Sequence, residues 1–85
     1  MGEDMEIRNI ITFVRIAELQ NFSKAAEQLG YSQSAVTMQI KQLEAELQAQ
    51  LFERIGKRAR LTQAGERLLP LALDILDSAR KAEDI

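Results

Sequence analysis

Residues 25–47, AAEQLGYSQSAVTMQIKQLEAEL, constrain this chain more than any other stretch, because two short helical patterns meet there at one glycine. Ala25, Ala26 and Leu29 give the first pattern an apolar stripe, and the small alanines let a second helix approach closely. Gly30 supplies the stop, since the residue past a helix end often takes a positive φ that costs glycine nothing. Ser32 stands at the next N-cap, with Tyr31 before it and Val36 beyond it at the spacing of a hydrophobic staple. The second helix therefore starts at Gln33, and the pair reads as a helix-turn-helix.

Counting about 100° per residue separates that second helix into two faces. Val36, Ile40, Leu43 and Leu47 share one narrow sector and are expected to lock onto the core. Ser34, Thr37, Met38 and Lys41 fall on the far side, beside Gln33 at the helix start, and no carboxylate joins them before Glu44. Hydroxyls, an amide, a thioether and one ammonium can hydrogen-bond base edges, touch a thymine methyl and pair with phosphate. A major groove admits one such helix by its N-terminal part. The plainer alternative is a solvated polar face, and glycine-joined helix pairs also occur in proteins that never meet DNA.

Composition bounds the choices. The 85 residues are enough for one domain, and a hydrophobic share of 46% allows a modest core. With no cysteine and no histidine, disulfides, Cys-based metal sites and the commonest general base are excluded, and no cofactor is expected. No apolar run approaches the ~20 residues of a membrane span, and the acidic start does not resemble a signal peptide. The chain reads as soluble and cytoplasmic. A formal charge of −2 argues against a simple basic DNA-binding domain. Its distribution answers part of that objection. Acids gather at Glu3, Asp4 and Glu6 and again from Asp74 to Asp84, whereas residues 54–60 hold four basic residues and no acid.

In chain order, Met1 to Asp4 reads as a frayed leader. Met5 to Leu19 reads as a helix with Ile10, Phe13, Val14 and Ala17 on one face, widened by Ile7 and Ile11, with Ile16 at the other edge. So broad an arc implies either deep burial or a partner chain, and the small size of the protein favours the partner. Gln20 to Phe22 is the connection, and Ser23 is placed to cap the next helix. Ser23 and Lys24 at that N-terminus, with Ser32 at the following one, form the expected phosphate contacts, ordinary capping and a solvated lysine being the alternative.

After Leu47 the pattern changes. Leu51 to Arg54 and Ala59 to Thr62 flank Ile55-Gly56-Lys57-Arg58, which has the polarity and the glycine of a hairpin turn. The result is a two-stranded wing whose basic tip, Lys57 and Arg58, can reach phosphates or a narrow minor groove. A solvated charged hairpin is the alternative. Thr62 caps a long helix from Gln63 to Ile85 that carries two apolar stripes. One holds Ala64, Leu68, Leu71, Ala72, Ile75, Ala79 and Ala82, the other Leu69, Leu73 and Leu76. Two stripes require two neighbours: the domain itself, and the same helix or the first helix of a second subunit. The partner-facing residues expected are Ile7, Ile11, Leu68, Leu71, Ala72, Ile75 and Ala79. Pro70 predicts a bend or restart between Glu66 and Pro70, and Gly65 weakens the first turn unless close packing requires a missing side chain. The stripe continues to Ala82 without a stop signal, as in a chain cut inside a linker.

Taken together, AAEQLGYSQSAVTMQIKQLEAEL, LFERIGKRARLTQAGERLL and the long helix that follows closely resemble the N-terminal winged helix-turn-helix domain of LysR-type bacterial transcriptional regulators. The resemblance covers nearly the whole chain from Met5 onward. It rests on the SQ-A-V start, the QLE ending, the LFER segment and the LT-AG segment at fixed spacing. It implies that residues 33–46 enter the major groove, where Gln33, Ser34, Thr37, Met38 and Lys41 read bases or backbone. Arg54, Lys57 and Arg58 in the wing would meet the minor groove or backbone. It also implies that the long helix pairs subunits and leads to an effector domain with a periplasmic-binding-protein-like fold, the only place for a small-molecule effector. Two positions depart from the family pattern. Ser34 stands where proline is very frequent, and Met38 where arginine is frequent, which removes a bidentate guanine contact worth about 1–3 kcal/mol of discrimination.

The fold expected is mostly α: a winged helix-turn-helix of three helices and a two-stranded wing over residues 1–62, then a linker and dimerisation helix over 63–85. The function expected is sequence-specific binding of a pseudo-palindromic double-stranded DNA site as a homodimer through helices 63–85 and 5–19, in a transcription regulator. A helical protein-interaction module is the competing class. An enzyme finds no convergent nucleophile, base and orienting group.

Overall fold

The computed structural model describes residues 5–85, so the expected frayed leader at Met1–Asp4 lies outside the described residues. Its first helix, α1 (Ile7–Leu19), forms because Ile10, Phe13, Val14 and Ile16 recur on one face and are all buried. It starts two residues later than the pattern allows, at a Glu6 N-cap that makes no side-chain bond. Ile7 and Ile11 remain exposed. The helix ends at Gln20, whose φ of 56° puts a non-glycine residue in the left-handed region.

Helix α2 (Phe22–Leu29) is capped by Asn21, whose Oδ1 accepts from the Lys24 backbone amide at 2.8 Å. The expected Ser23 cap is therefore displaced by two residues. Phe22 is buried in the core, and starting the helix at that residue carries its ring inward. Asparagine and serine cap equally well, so packing decided between them. Gly30 closes α2 at φ 78°, and α3 (Gln33–Leu47) opens with the Ser32 hydroxyl accepting from Ala35 N at 3.1 Å, both as expected. Val36, Ile40 and Leu43 are buried. Leu47, placed with them by the wheel, is instead 37% exposed, because the last turn of α3 outruns the core.

The wing pairs β1 (Phe52–Ile55) with β2 (Arg58–Leu61) in antiparallel register, Phe52 opposite Leu61 and Ile55 opposite Arg58. That register leaves a two-residue turn, Gly56-Lys57. Gly56 takes φ 63° and Lys57 is not among the positive-φ residues, the sign pattern of a hairpin turn matched to strand twist. Ala59 N bonds to Gln20 O at 2.9 Å, and Leu51 N bonds to the Glu44 carboxylate at 2.8 Å. The hairpin is thus tied to the ends of both α1 and α3.

Helix α4 (Gln63–Glu83) begins where the Thr62 hydroxyl accepts from Gly65 N at 3.1 Å. Gly65 is buried, and a Cβ there would collide with the Leu51 carbonyl and come within 2.8 Å of Leu61 Cδ2. Close packing is the reason for the missing side chain. Of the bend or restart expected near Pro70, the restart does not occur: α4 runs unbroken through the proline. Pro70 is exposed, so water can satisfy the Glu66 carbonyl that loses its partner. Leu68 and Ala72 are buried against the domain itself, and Ala64, Leu69 and Leu76 pack beside them. Two residues assigned to the partner stripe are therefore core residues. Farther along, Asp77 pairs with Lys81 at 3.2 Å and Arg80 at 3.0 Å, hydrogen bonds that hold its carboxyl below the usual carboxylate range.

Candidate nucleic-acid interface

Two cavities flank the N-terminal half of α3, and the wing closes both. The first is lined by Asn21, Phe22, Ser23, Lys24, Gln33, Arg54, Gly56, Lys57 and Arg58. It brings together the start of α2, the start of α3 and the turn of the hairpin, with four cationic side chains and no carboxylate. The second lies between α3 and β1 and includes Thr37, Lys41, Phe22, Phe52, Arg54 and the acids Glu44 and Glu53. Glu44 is already committed to the Leu51 amide. The surface open to a ligand is consequently positive at its α2 and wing end.

On α3 itself, Gln33, Ser34, Met38 and Lys41 are exposed and Thr37 is half-buried. Met38, an apolar side chain, is 68% exposed. Several of these side chains are held by neighbours. Ser23 Oγ donates to Gln33 Oε1 at 2.8 Å, the Ser32 and Ser34 hydroxyls lie 3.2 Å apart, and Arg54 Nη2 donates to Thr37 Oγ1 at 3.2 Å. The Arg54 guanidinium also lies over the Phe22 ring, 3.7 Å from its centroid. Arg58, expected to project from the wing tip, is tied back by donation to Gln20 Oε1 at 2.6 Å. Lys24, Lys41 and Lys57 are exposed and make no side-chain hydrogen bond or ion pair among the described residues.

From behind, α1 grips α3 through a polar seam. Thr12 Oγ1 donates to Gln39 Oε1 and Asn9 Nδ2 to Gln42 Oε1, at 2.5 and 3.2 Å. Thr12 and Asn9 are both fully buried, so an unmade bond would carry the cost of a desolvated polar group, about 1–3 kcal/mol. The seam fixes the rotation of α3 and hence which side chains it turns outward. Sequence reasoning missed it, although a signal exists: Asn9 and Thr12 fall within the sector of Phe13 and Ile16. It also missed Asn21 and assigned Phe22 to a connection.

A third surface groups Ile7 and Ile11 of α1 with Leu73, Leu76, Asp77, Ala79, Arg80 and Glu83 of α4. Of the expected partner-facing residues it collects Ile7, Ile11 and Ala79. Leu71 is exposed and Ile75 half-buried outside that groove, and Leu68 and Ala72 are interior.

A glycine-joined helix pair gripped from behind by α1, with a basic hairpin beside the second helix, defines a winged helix-turn-helix domain. The family description "Bacterial regulatory helix-turn-helix protein, lysR family" matches residues 7–66. The chain belongs to that family. It is 46% identical over 79 residues to "Uncharacterized HTH-type transcriptional regulator YwqM" of Bacillus subtilis (strain 168), covering 93% of this chain and 27% of that protein. Among solved structures, it is similar to the CbnR DNA-binding domain in its DNA complex, with a TM-score of 0.90 and 39% identity, covering 94% of this chain and 92% of that one. The BenM DNA-binding domain, solved with benA site 1 DNA, gives a TM-score of 0.88 and 34% identity, covering 94% and 90%. The chain thus spans about a quarter of the YwqM regulator but nearly all of the two isolated domains.

Proposed function

We propose that this chain is the double-stranded DNA-binding domain of a bacterial LysR-type transcription regulator and acts as a homodimer. The observation that carries the reading is the carboxylate-free cavity of Lys24, Arg54, Lys57 and Arg58 beside the exposed first turns of α3. In this reading residues 33–46 enter the major groove, with Gln33, Ser34, Thr37, Met38 and Lys41 toward base edges. Lys57 and Arg58 face the minor groove or backbone, and Ser23, Lys24 and Ser32 face phosphates. Residues 1–62 are the DNA-binding unit and 63–85 the linker and dimerisation helix, although the first turns of α4 share the core. The partner surface comprises Ile7, Ile11, Leu71, Ile75 and Ala79. Such a domain binds rather than catalyses and works in the cytoplasm, and none of the described helices is long and apolar enough to cross a membrane. A small-molecule signal acts through an effector domain outside these residues.

Selection of bound duplexes from a random-sequence pool tests this. Enrichment of a two-fold-related site is expected, with binding that weakens steeply with salt, loses slope on Lys57→Ala, and drops when one half-site is inverted. A pool that emerges unenriched, with binding insensitive to salt, favours the protein-interaction module instead.

A further inference from the structure

Arg54 belongs to the wing by position, yet its side chain turns toward the domain. The guanidinium lies over the Phe22 ring at 3.7 Å and gives one N–H to Thr37 Oγ1 at 3.2 Å. Phe22 stands edge-on to Phe52 at 5.5 Å, and Phe52 packs on Phe13 at 5.4 Å. Arg54 therefore caps a run of three rings that starts in α1 and surfaces beside α3. A guanidinium can lie flat on a ring while its in-plane N–H donates sideways, a pairing that a compact, strongly hydrated ammonium makes less well.

The contact also orients Thr37. A hydroxyl has one donor and two acceptor sites, and Arg54 occupies an acceptor. The remaining O–H is then directed away from the guanidinium as a donor. Base edges that accept, such as purine N7, guanine O6 and thymine O4, suit it better than the amino groups of cytosine or adenine.

We infer that Arg54 is a positioning residue for base readout, clamping the wing to α3 and presenting the Thr37 hydroxyl as a donor, rather than a phosphate contact. The inference rests on the DNA-binding reading above. It separates two kinds of wing cation. Losing a phosphate contact lowers the salt slope by about one and weakens all sequences alike, whereas losing a positioning residue changes preference at one base pair.

The intact 85-residue chain is taken through selection from a random duplex pool, alongside Thr37→Ala, Arg54→Ala, Arg54→Lys and Lys57→Ala, each checked for its helical circular dichroism. Arg54→Lys retains the charge and serves where Arg54→Ala fails to fold. Both Arg54 variants are expected to flatten preference at the base pair that Thr37→Ala flattens, by about fivefold. Their salt slope stays near that of the unmodified chain, while Lys57→Ala lowers the slope and leaves preference alone. The proposal is overturned if Arg54→Lys keeps the original preference, or if Arg54→Ala matches Lys57→Ala in slope with preference intact. No enrichment with the unmodified chain removes the DNA-binding reading itself, and this inference with it.

Discussion

Met38 is 68% exposed on the acid-free face of α3, and it is flexible, apolar and uncharged. It can press on a thymine methyl but cannot fork onto guanine. Met38→Arg should therefore shift the selected site toward guanine at one position, by the 10-fold or so that a bidentate contact confers. An unchanged site would count against Met38 facing the bases. A different single-residue effect sits at Gln48, which closes α3 with φ 54°. The left-handed region costs a side-chain-bearing residue about 1–2 kcal/mol, partly offset by the greater unfolded freedom of glycine. Gln48→Gly should raise the thermal midpoint by a few degrees, for a net gain of about 0.5 kcal/mol. Gln20, at φ 56°, is not equivalent, since its amide side chain accepts from Arg58 and its carbonyl accepts from Ala59.

At the scale of elements, α4 shows how packing overrides propensity. Alanine is a better helix former than glycine by about 1 kcal/mol, so sequence alone favours Gly65→Ala. The Cβ it adds has nowhere to go between the Leu51 backbone and Leu61. Overpacking of this kind typically costs about 1–3 kcal/mol, and urea unfolding should show a lower midpoint despite the better helix former. Pro70 makes the opposite point. Its cost is muted because it faces water in the middle of a helix anchored on both sides by Leu68 and Ala72. The element types, the glycine turn between α2 and α3 and the glycine-bearing wing turn were legible because they depend on local chemistry, whereas the pairing of Ile55 with Arg58, which shortens that turn to two residues, was not. The α2 cap was not: Asn21 and Ser23 are equivalent caps, and only the burial of Phe22 distinguishes them.

For the whole molecule, the groove between α1 and the second half of α4 is the surface that most resembles an interface. Leu73, 47% exposed, stands in it with Ile7 and Ile11. Leu73→Asp places a charge where a partner would strip away water, while leaving the domain core untouched. Sedimentation should show the dimer lost, with unchanged circular dichroism and weaker binding to a two-half-site duplex. A dimer of unaltered strength would take the groove of Ile7, Ile11 and Leu73 out of the partner surface and leave only its flank of Leu71 and Ile75. Net charge belongs to this scale too. At −2 overall, the proposed attraction to DNA has to come from the uneven placement of charge, so non-specific binding should fade at lower salt than for a basic domain.

Apolar periodicity, one glycine between two helices and a glycine-bearing basic hairpin determined the elements, their order and the face of α3 that carries no acid. These are short-range properties, set by the spacing of side chains along a helix or across a turn. Tertiary structure alone decided which cations are free and which are bound. Arg54 on Phe22 and Thr37, Arg58 on Gln20, and the Asn9 and Thr12 seam each join residues distant in the chain, and no periodicity encodes such a meeting. It also divided the stripes of α4 between the protein's own core and its outer surface, because burial depends on where the neighbouring helix ends.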